Sequence, residues 1–378
     1  MHSRKANRWS KSRPTGRIPE CTAILKEGLG HCRNNENLII RAVKYYERIG
    51  DLDEARSLLS ICRRLPIERM WKTMLEGALL ESRAGNYGTA REFLKYLTHH
   101  VPWYGPLYLA HTKLERDHGL NDEAFSIVEK GLRELPRYGP LYFQAFKLLE
   151  KSDLARGDYG LTRTMEMVER ASTISRELLW KVHLEAALMQ ERAALASVAA
   201  GAAGGLDGAL RPCRRSYARS IALCPPNLTW KIWLAAGRTE VSCDNAAEAR
   251  ELFLRAYDCV TEKGRSSVLL ELSRLEEFAG DVGTARSFLT RSRRAYGGDW
   301  KVWLSSVNLE CRHGRRDRAI EFAQSALNIH RGTGKFGPVG TSPDGQFPSL
   351  AAATRTNTYF ARLRPSLGGA DTAPPRRR

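Results

Sequence analysis

The chain has 378 residues, 42% of them hydrophobic, and a formal net charge of +18. That length exceeds one ordinary compact core, yet no run approaches the roughly 18 apolar residues of a membrane span. The eight cysteines (21, 32, 62, 213, 224, 243, 259 and 311) share no CxxC pairing and no common spacing with histidine. This argues against a disulfide framework or a zinc site and for reduced thiols inside the cell.

In chain order, residues 1–19 carry six Lys/Arg and no acid, broken by Pro14, Gly16 and Pro19. They predict a disordered basic arm without the apolar stretch of a secretory signal. From 20 to 330 the pattern is helical and repeats. Glycine-type turns at Gly50-Asp51, Gly85-Asn86, Gly119, Gly280-Asp281 and Gly314 each precede an alanine by five residues: Ala55, Ala90, Ala124, Ala285 and Ala319. Gly85 to Gly119 and Gly280 to Gly314 both span 34 residues, the period of a stacked helical-hairpin array.

One unit, residues 70–102, shows the grammar. Trp71, Met74, Leu75, Ala78 and Leu79 form an apolar stripe on a first helix. Gly85-Asn86 ends it. Ala90, Phe93, Leu94 and Leu97 line a second helix from about Thr89, and Pro102 closes the unit. The segments PWYGPLY at 102–108 and PRYGPLY at 136–142 are near copies one period apart. Trp71, Trp230 and Trp300 stand ten residues before Glu81, Glu240 and Glu310, and Trp233 and Trp303 follow one turn later in two units. Trp180 has Gln190 and Glu191 at that place. Eight units are expected, starting near 37, 70, 103, 138, 179, 229, 266 and 299.

Trp180 to Trp230 spans 50 residues. The excess falls in an Ala/Gly-rich stretch near 193–212, expected to be a flexible loop insert. Residues 331–378, rich in Gly, Pro and Ser, carry eight Lys/Arg against two acids and predict a disordered basic tail. Arm and tail hold two-thirds of the excess charge, leaving 46 basic and 40 acidic residues in the array. Net charge therefore supports polyanion affinity at the flanks more than along the repeats.

The tryptophan-led first helix, the glutamate ten residues on, the second-helix starts Ala55-Arg56, Ala90-Arg91, Ala249-Arg250 and Ala285-Arg286, and closing prolines Pro66, Pro102, Pro136 and Pro225 resemble half-a-TPR (HAT) repeats. The resemblance covers residues 37–330. It implies an all-α, right-handed α-α superhelix (solenoid) of about eight HAT/TPR-like hairpins. It further implies an RNA-processing factor in mRNA maturation or stabilisation, most similar to the plastid mRNA maturation and stability type, in nucleus or organelle. Its partners would be single-stranded RNA, protein subunits of an RNA-processing complex, or both. The alternative is a protein–protein scaffold in a ribonucleoprotein complex of splicing or 3′-end processing, without direct RNA contact.

Four lysines follow the repeat tryptophans: Lys72, Lys181, Lys231 and Lys301. One helical step of about 100° turns them away from the core, as candidate contacts for an RNA backbone or as solvated charges. Arg214-Arg215 and Arg293-Arg294, edging second helices, are further phosphate candidates, although cations also suit helix C-termini. Trp71, Trp180, Trp230, Trp233, Trp300, Trp303, Glu81, Glu240 and Glu310 read as structural signature residues. The repeat glutamates and the following arginines Arg91, Arg250 and Arg286 are expected to pair between the two helices of a hairpin. Trp103, Tyr104, Tyr108, Tyr138 and Tyr142 read as inter-repeat packing, or as base-stacking platforms where exposed. GTGK at 332–335 lacks the spacing and the Ser/Thr of a phosphate loop. No metal-ligand or nucleophile–base spacing emerges, so no cofactor, metal, small-molecule substrate or enzymatic activity is expected.

Overall fold

The computed structural model describes residues 18–32, 34–171, 176–201 and 205–329, and every regular element among them is helical. The chain divides into two compact units, residues 1–182 and 183–378. In the first lie α1 (Ile18–His31), α2 (Glu36–Ile49), α3 (Leu52–Leu59), α4 (Ile67–Ala84), α5 (Tyr87–His100), α6 (Gly105–Asp117), α7 (Asn121–Glu134), α8 (Gly139–Ala155) and α9 (Thr162–Arg170). The boundary falls within α10 (Arg176–Ala199). The second unit continues with α11 (Gly205–Ala209), α12 (Arg211–Leu223), α13 (Thr229–Ser242), α14 (Ala246–Cys259), α15 (Glu262–Phe278), α16 (Val282–Tyr296), α17 (Trp300–Arg312) and α18 (Arg316–Ile329). The first helices of the eight expected units are α2, α4, α6, α8, α10, α13, α15 and α17.

Each hairpin is written locally. In α2, the Asn35 side chain accepts from Leu38 N at 3.1 Å and caps the start. Ile39, Ala42, Val43 and Tyr46 then fall at 3–4 spacing and are all buried. Gly50 ends the helix at φ 90°, with Asp51 N bonding back to Tyr46 O at 2.9 Å. Gly85 repeats this at φ 92°, with Asn86 N on Glu81 O. A side chain at such φ costs about 1–2 kcal/mol, which is why glycine marks the period. The sixth hairpin uses Asp244 at φ 63° instead, one of the few side chains that tolerate this geometry. The alanine five residues after each turn is fully buried at Ala55, Ala90, Ala124 and Ala285, on the face of the second helix turned to the core.

Between hairpins the near-copy segments do the packing. Tyr108 and Tyr142 are almost wholly buried, and their hydroxyls donate to Thr98 O (3.4 Å) and Pro136 O (3.1 Å). A Cβ at Gly131 would meet Leu141 Cδ1 and Tyr108 Cγ at 2.9 Å each, so α7 approaches its neighbours as closely as glycine permits. In the second unit Phe253, Val268, Leu269, Leu272 and Leu275 belong to one core cluster, with Trp230 and Trp233 packed against it.

Two expectations are corrected. The 193–212 stretch is not a simple loop: α10 runs on through Ala199, α11 occupies 205–209 and α12 begins at Arg211. Alanine is the strongest helix former, so the Ala-rich run extends the preceding helix, and Ala193, Ala194 and Leu210 are buried. The basic arm is shortened as well, since Ile18 and Pro19 already belong to α1, proline being well suited to a helix's first turn. Residues 1–17 and 330–378, where the rest of the arm and the tail were expected, lie outside the described residues.

Candidate functional site

The repeat glutamates sit in the last turn of the first helices, where a carboxylate opposes the helix dipole. Their own backbone carbonyls accept the helix-ending bond at Glu81, Glu115, Glu240 and Glu310. They are also buried, Glu115 to 2% exposure and Glu310 to 3%. A buried carboxylate needs a partner, and arginine supplies it in a bidentate fork. The pairs are Arg56–Glu81 (2.8 and 2.9 Å), Arg91–Glu115 (2.6 and 2.7 Å), Arg214–Glu240 (2.8 and 2.7 Å), Arg250–Glu276 (2.7 and 2.8 Å) and Arg286–Glu310 (2.9 and 3.0 Å).

This corrects the expected pairing. Each arginine lies on the second helix of one hairpin and grips the glutamate on the first helix of the next: α3 to α4, α5 to α6, α12 to α13, α14 to α15 and α16 to α17. Glu81 is held by Arg56 and not by Arg91 of its own hairpin. The physical reason lies in the burial of the glutamate: its carboxylate faces the junction with the preceding hairpin, where the arginine emerges just after a buried small residue (Ala55, Ala90, Cys213, Ala249 or Ala285). Asn86 and Asn245, just after the turns, add a third bond to Glu81 and Glu240. The Arg91 fork holds Glu115, and the Arg56 fork holds Glu81, below the usual carboxylate range. At Glu240 burial pushes the other way, but the Arg214 and Asn245 bonds outweigh it.

A second row of ion pairs joins first helices to one another. Arg83 bridges Glu47 and Glu76, and Lys44 also reaches Glu76 at 3.0 Å. Arg238 and Arg274 meet on Glu271 (2.6 and 2.9 Å), and Arg312 forks onto Glu277 with both bonds at 2.7 Å. Sequence reasoning missed these pairs. Their signal was opposite charge at one repeat's separation, as in Glu47 and Arg83.

The proposed RNA contacts fare unequally. Lys72, Lys181 and Lys231 are exposed, each ammonium 5.4–5.6 Å from the ring centroid of the tryptophan before it. Lys72 also stands 3.9 Å from Glu36 Oε2. Only Lys231 and Lys301 fall in a first helical turn; Lys72 and Lys181 lie one turn further in. Lys301, Arg215 and Arg294 are exposed. Arg214 is consumed by Glu240 and by Asp207 at 2.6 Å, which push its pKa up. Arg293 donates to Ser306 Oγ (2.6 Å) and Thr290 Oγ1 (3.0 Å), and its guanidinium sits 4.1 Å from the Phe322 ring centre. Burial lowers its pKa. Arg214 and Arg293 are thus tied into the frame.

Of the signature tryptophans, Trp71 and Trp180 are buried and Trp230, Trp233, Trp300 and Trp303 half-buried. The indole of Trp303 donates to Gly297 O at 2.7 Å. Trp103 departs from the packing role: it is 62% exposed, edge-on to Trp71 at 5.5 Å. Tyr104 packs on Trp71 at 4.4 Å, and Tyr138 is half-buried. The thiols of Cys62 and Cys243 are pushed up to about 11 by burial, so they stay protonated and weakly nucleophilic near neutrality. Among the described residues no cluster of three or more His, Cys, Asp or Glu is placed to hold a metal, and no helix is long and apolar enough to cross a membrane.

Tandem helical hairpins clamped by arginines on buried glutamates define a TPR-like repeat scaffold. Residues 12–337 match the family described as PRP6, TPR-like domain, and the chain belongs to that family. It is 44% identical over 323 residues to a TPR-containing protein of Dictyostelium discoideum, a match over 85% of this chain and 23% of that protein. The chain therefore spans less than a quarter of that relative's length. Among solved structures it resembles the human IFIT1 dimer with m7Gppp-AAAA (15% identity, 84% of this chain and 87% of that one, TM-score 0.36). It also resembles the Cut9–Hcn1 hetero-tetramer of the APC/C (12% identity, 93% and 61%, TM-score 0.36).

Proposed function

We propose that this chain is a structural scaffold of a splicing-type RNA-processing assembly, docking protein subunits along its repeats. Membership of the PRP6 TPR-like family supports the assembly type and favours splicing over organellar mRNA maturation. The observation that carries the scaffold role is the set of five bidentate Arg–Glu clamps between consecutive hairpins. They spend the repeats' recurrent charges on a preformed frame, and a frame that keeps its shape binds without paying to order itself. Sedimentation of the tagged full chain from ribonuclease-treated extract tests this. Retention in a large protein complex is expected; collapse to the free chain after ribonuclease would overturn it.

A second reading, direct contact with single-stranded RNA, draws on Lys181, Lys231 and Lys301. These exposed cations form no ion pair among the described residues. A steep loss of oligouridylate affinity with salt, reduced when the three become glutamine, would favour it.

A further inference from the structure

In the second unit Arg214, Arg250 and Arg286 are matched to carboxylates, whereas two arginines beside Tyr257 are not. Tyr257, near the end of α14, is flanked by two guanidiniums: Arg265 on α15 lies 5.6 Å and Arg291 on α16 lies 5.2 Å from its ring centroid. The two cations are therefore no more than about 11 Å apart. Arg291 also donates from Nη2 to the phenol oxygen at 3.0 Å, which fixes its fork in place. Neither arginine forms an ion pair among the described residues. Arg265 Nε is buried and has no hydrogen-bond partner, while Arg291 is exposed. A third guanidinium on α14, that of Arg255, rests over Trp233 at 5.5 Å, with Glu251 at 3.5 Å as its partner.

Two like charges held beside one ring repel each other, and the ring face offsets only part of that. A buried donor without an acceptor adds a further penalty. The repulsion is relieved by an external group that brings concentrated negative charge and several acceptor oxygens to the two guanidiniums beside the ring. A phosphate matches this, guanidinium and phosphate being complementary in a bidentate sense. The ring carries cations, so it is a poor platform for a nucleobase, and a phosphodiester brings only one charge. A phosphomonoester brings about −1.5 to −2 and three acceptor oxygens.

We propose that Arg265, Arg291 and Tyr257 form a recognition site for a phosphorylated serine or threonine on a partner protein. The biological partner rests on the scaffold reading above; the binding chemistry does not. The site would make docking on this part of the array conditional on phosphorylation of the partner.

The test uses the full chain, with the arginine Nε–Hε signals followed by NMR. The probe is a short Gly/Ala peptide with one central phosphoserine, beside its unphosphorylated twin and an oligouridylate. The phosphopeptide should shift the Arg265 and Arg291 signals saturably, and the twin should not. Arg291→Gln and Arg265→Gln should each weaken binding on the order of tenfold or more, the value of a lost charged hydrogen bond. Arg291 is exposed, so its variant carries the test if Arg265→Gln perturbs folding. Absence of a saturable shift, unchanged affinity in Arg291→Gln, or equally strong displacement of these signals by oligouridylate would overturn the proposal. Sedimentation after ribonuclease stays informative whatever this titration gives, so the two readings fail separately.

Discussion

Breaking the clamp between α5 and α6 from its two ends should give unequal losses. Glu115 is 3% exposed at its side chain and Arg91 31%. Arg91→Ala strands a carboxylate in the junction with only the His111 ring at 3.6 Å, and an uncompensated buried charge costs about 3–5 kcal/mol. Glu115→Gln removes the charge but keeps the shape and an acceptor, while the partly exposed Arg91 turns to water; about 1–2 kcal/mol is expected. Replacing both by apolar residues, as in Arg91→Met with Glu115→Leu, should return to within about 1 kcal/mol of the parent. Repeat arrays open in segments, so the assay is amide hydrogen exchange in α5 and α6 beside global urea unfolding. The pKa of Glu115 is held down in the folded state, so its contribution is full above the unfolded glutamate pKa and lost as pH falls through the folded one. The penalty of Arg91→Ala should therefore shrink in acid. Equal effects of the two single variants, or Glu115→Gln costing more than Arg91→Ala, would refute the reasoning.

Other expectations follow from the same packing. Gly131→Ala sets a methyl group 2.9 Å from Leu141 and Tyr108 and should lower stability by about 1–3 kcal/mol in urea unfolding. Burial lowers the His111 pKa to about 4, against partial opposition from Glu115. The folded state therefore binds fewer protons than the unfolded one, and stability from this site is full above pH 6.5 and lost as pH falls towards 4. His111→Gln should flatten the stability profile between those values. Asp244→Gly should leave the sixth hairpin intact or stabilise it by up to about 1 kcal/mol, since residue 244 already has φ 63°; thermal melting decides.

The fold was legible because its two loudest signals are local. A left-handed turn wants glycine, and the core-facing start of a second helix takes alanine, so Gly50, Gly85, Ala55 and Ala90 announced the hairpins without reference to any partner. The insert was misread because low apolar content was taken for a loop, although Ala193 to Ala199 needs only its own propensity to extend α10. The clamps were legible as residue types but not as pairs. Spacing places Glu81 and Arg91 near one turn, and nothing in one dimension says that the carboxylate faces the preceding hairpin. The lysines were placed on the surface correctly, whereas Arg214 and Arg293 look the same in sequence as Arg215 and Arg294. Only geometry separates a guanidinium clamped by Glu240 from one in water. The Tyr257 site was hidden because its three residues lie on three helices with no shared spacing.

The proposed scaffold role requires a frame assembled by its own Arg–Glu clamps before any partner arrives. Hydrogen exchange on the isolated full chain measures this directly. The account predicts slow exchange through α4 to α7 and α13 to α17 with no partner present, and faster exchange in α5 and α6 once Arg91 is replaced. Exchange within seconds across those helices in the isolated chain, with protection gained only on adding a partner, would contradict it.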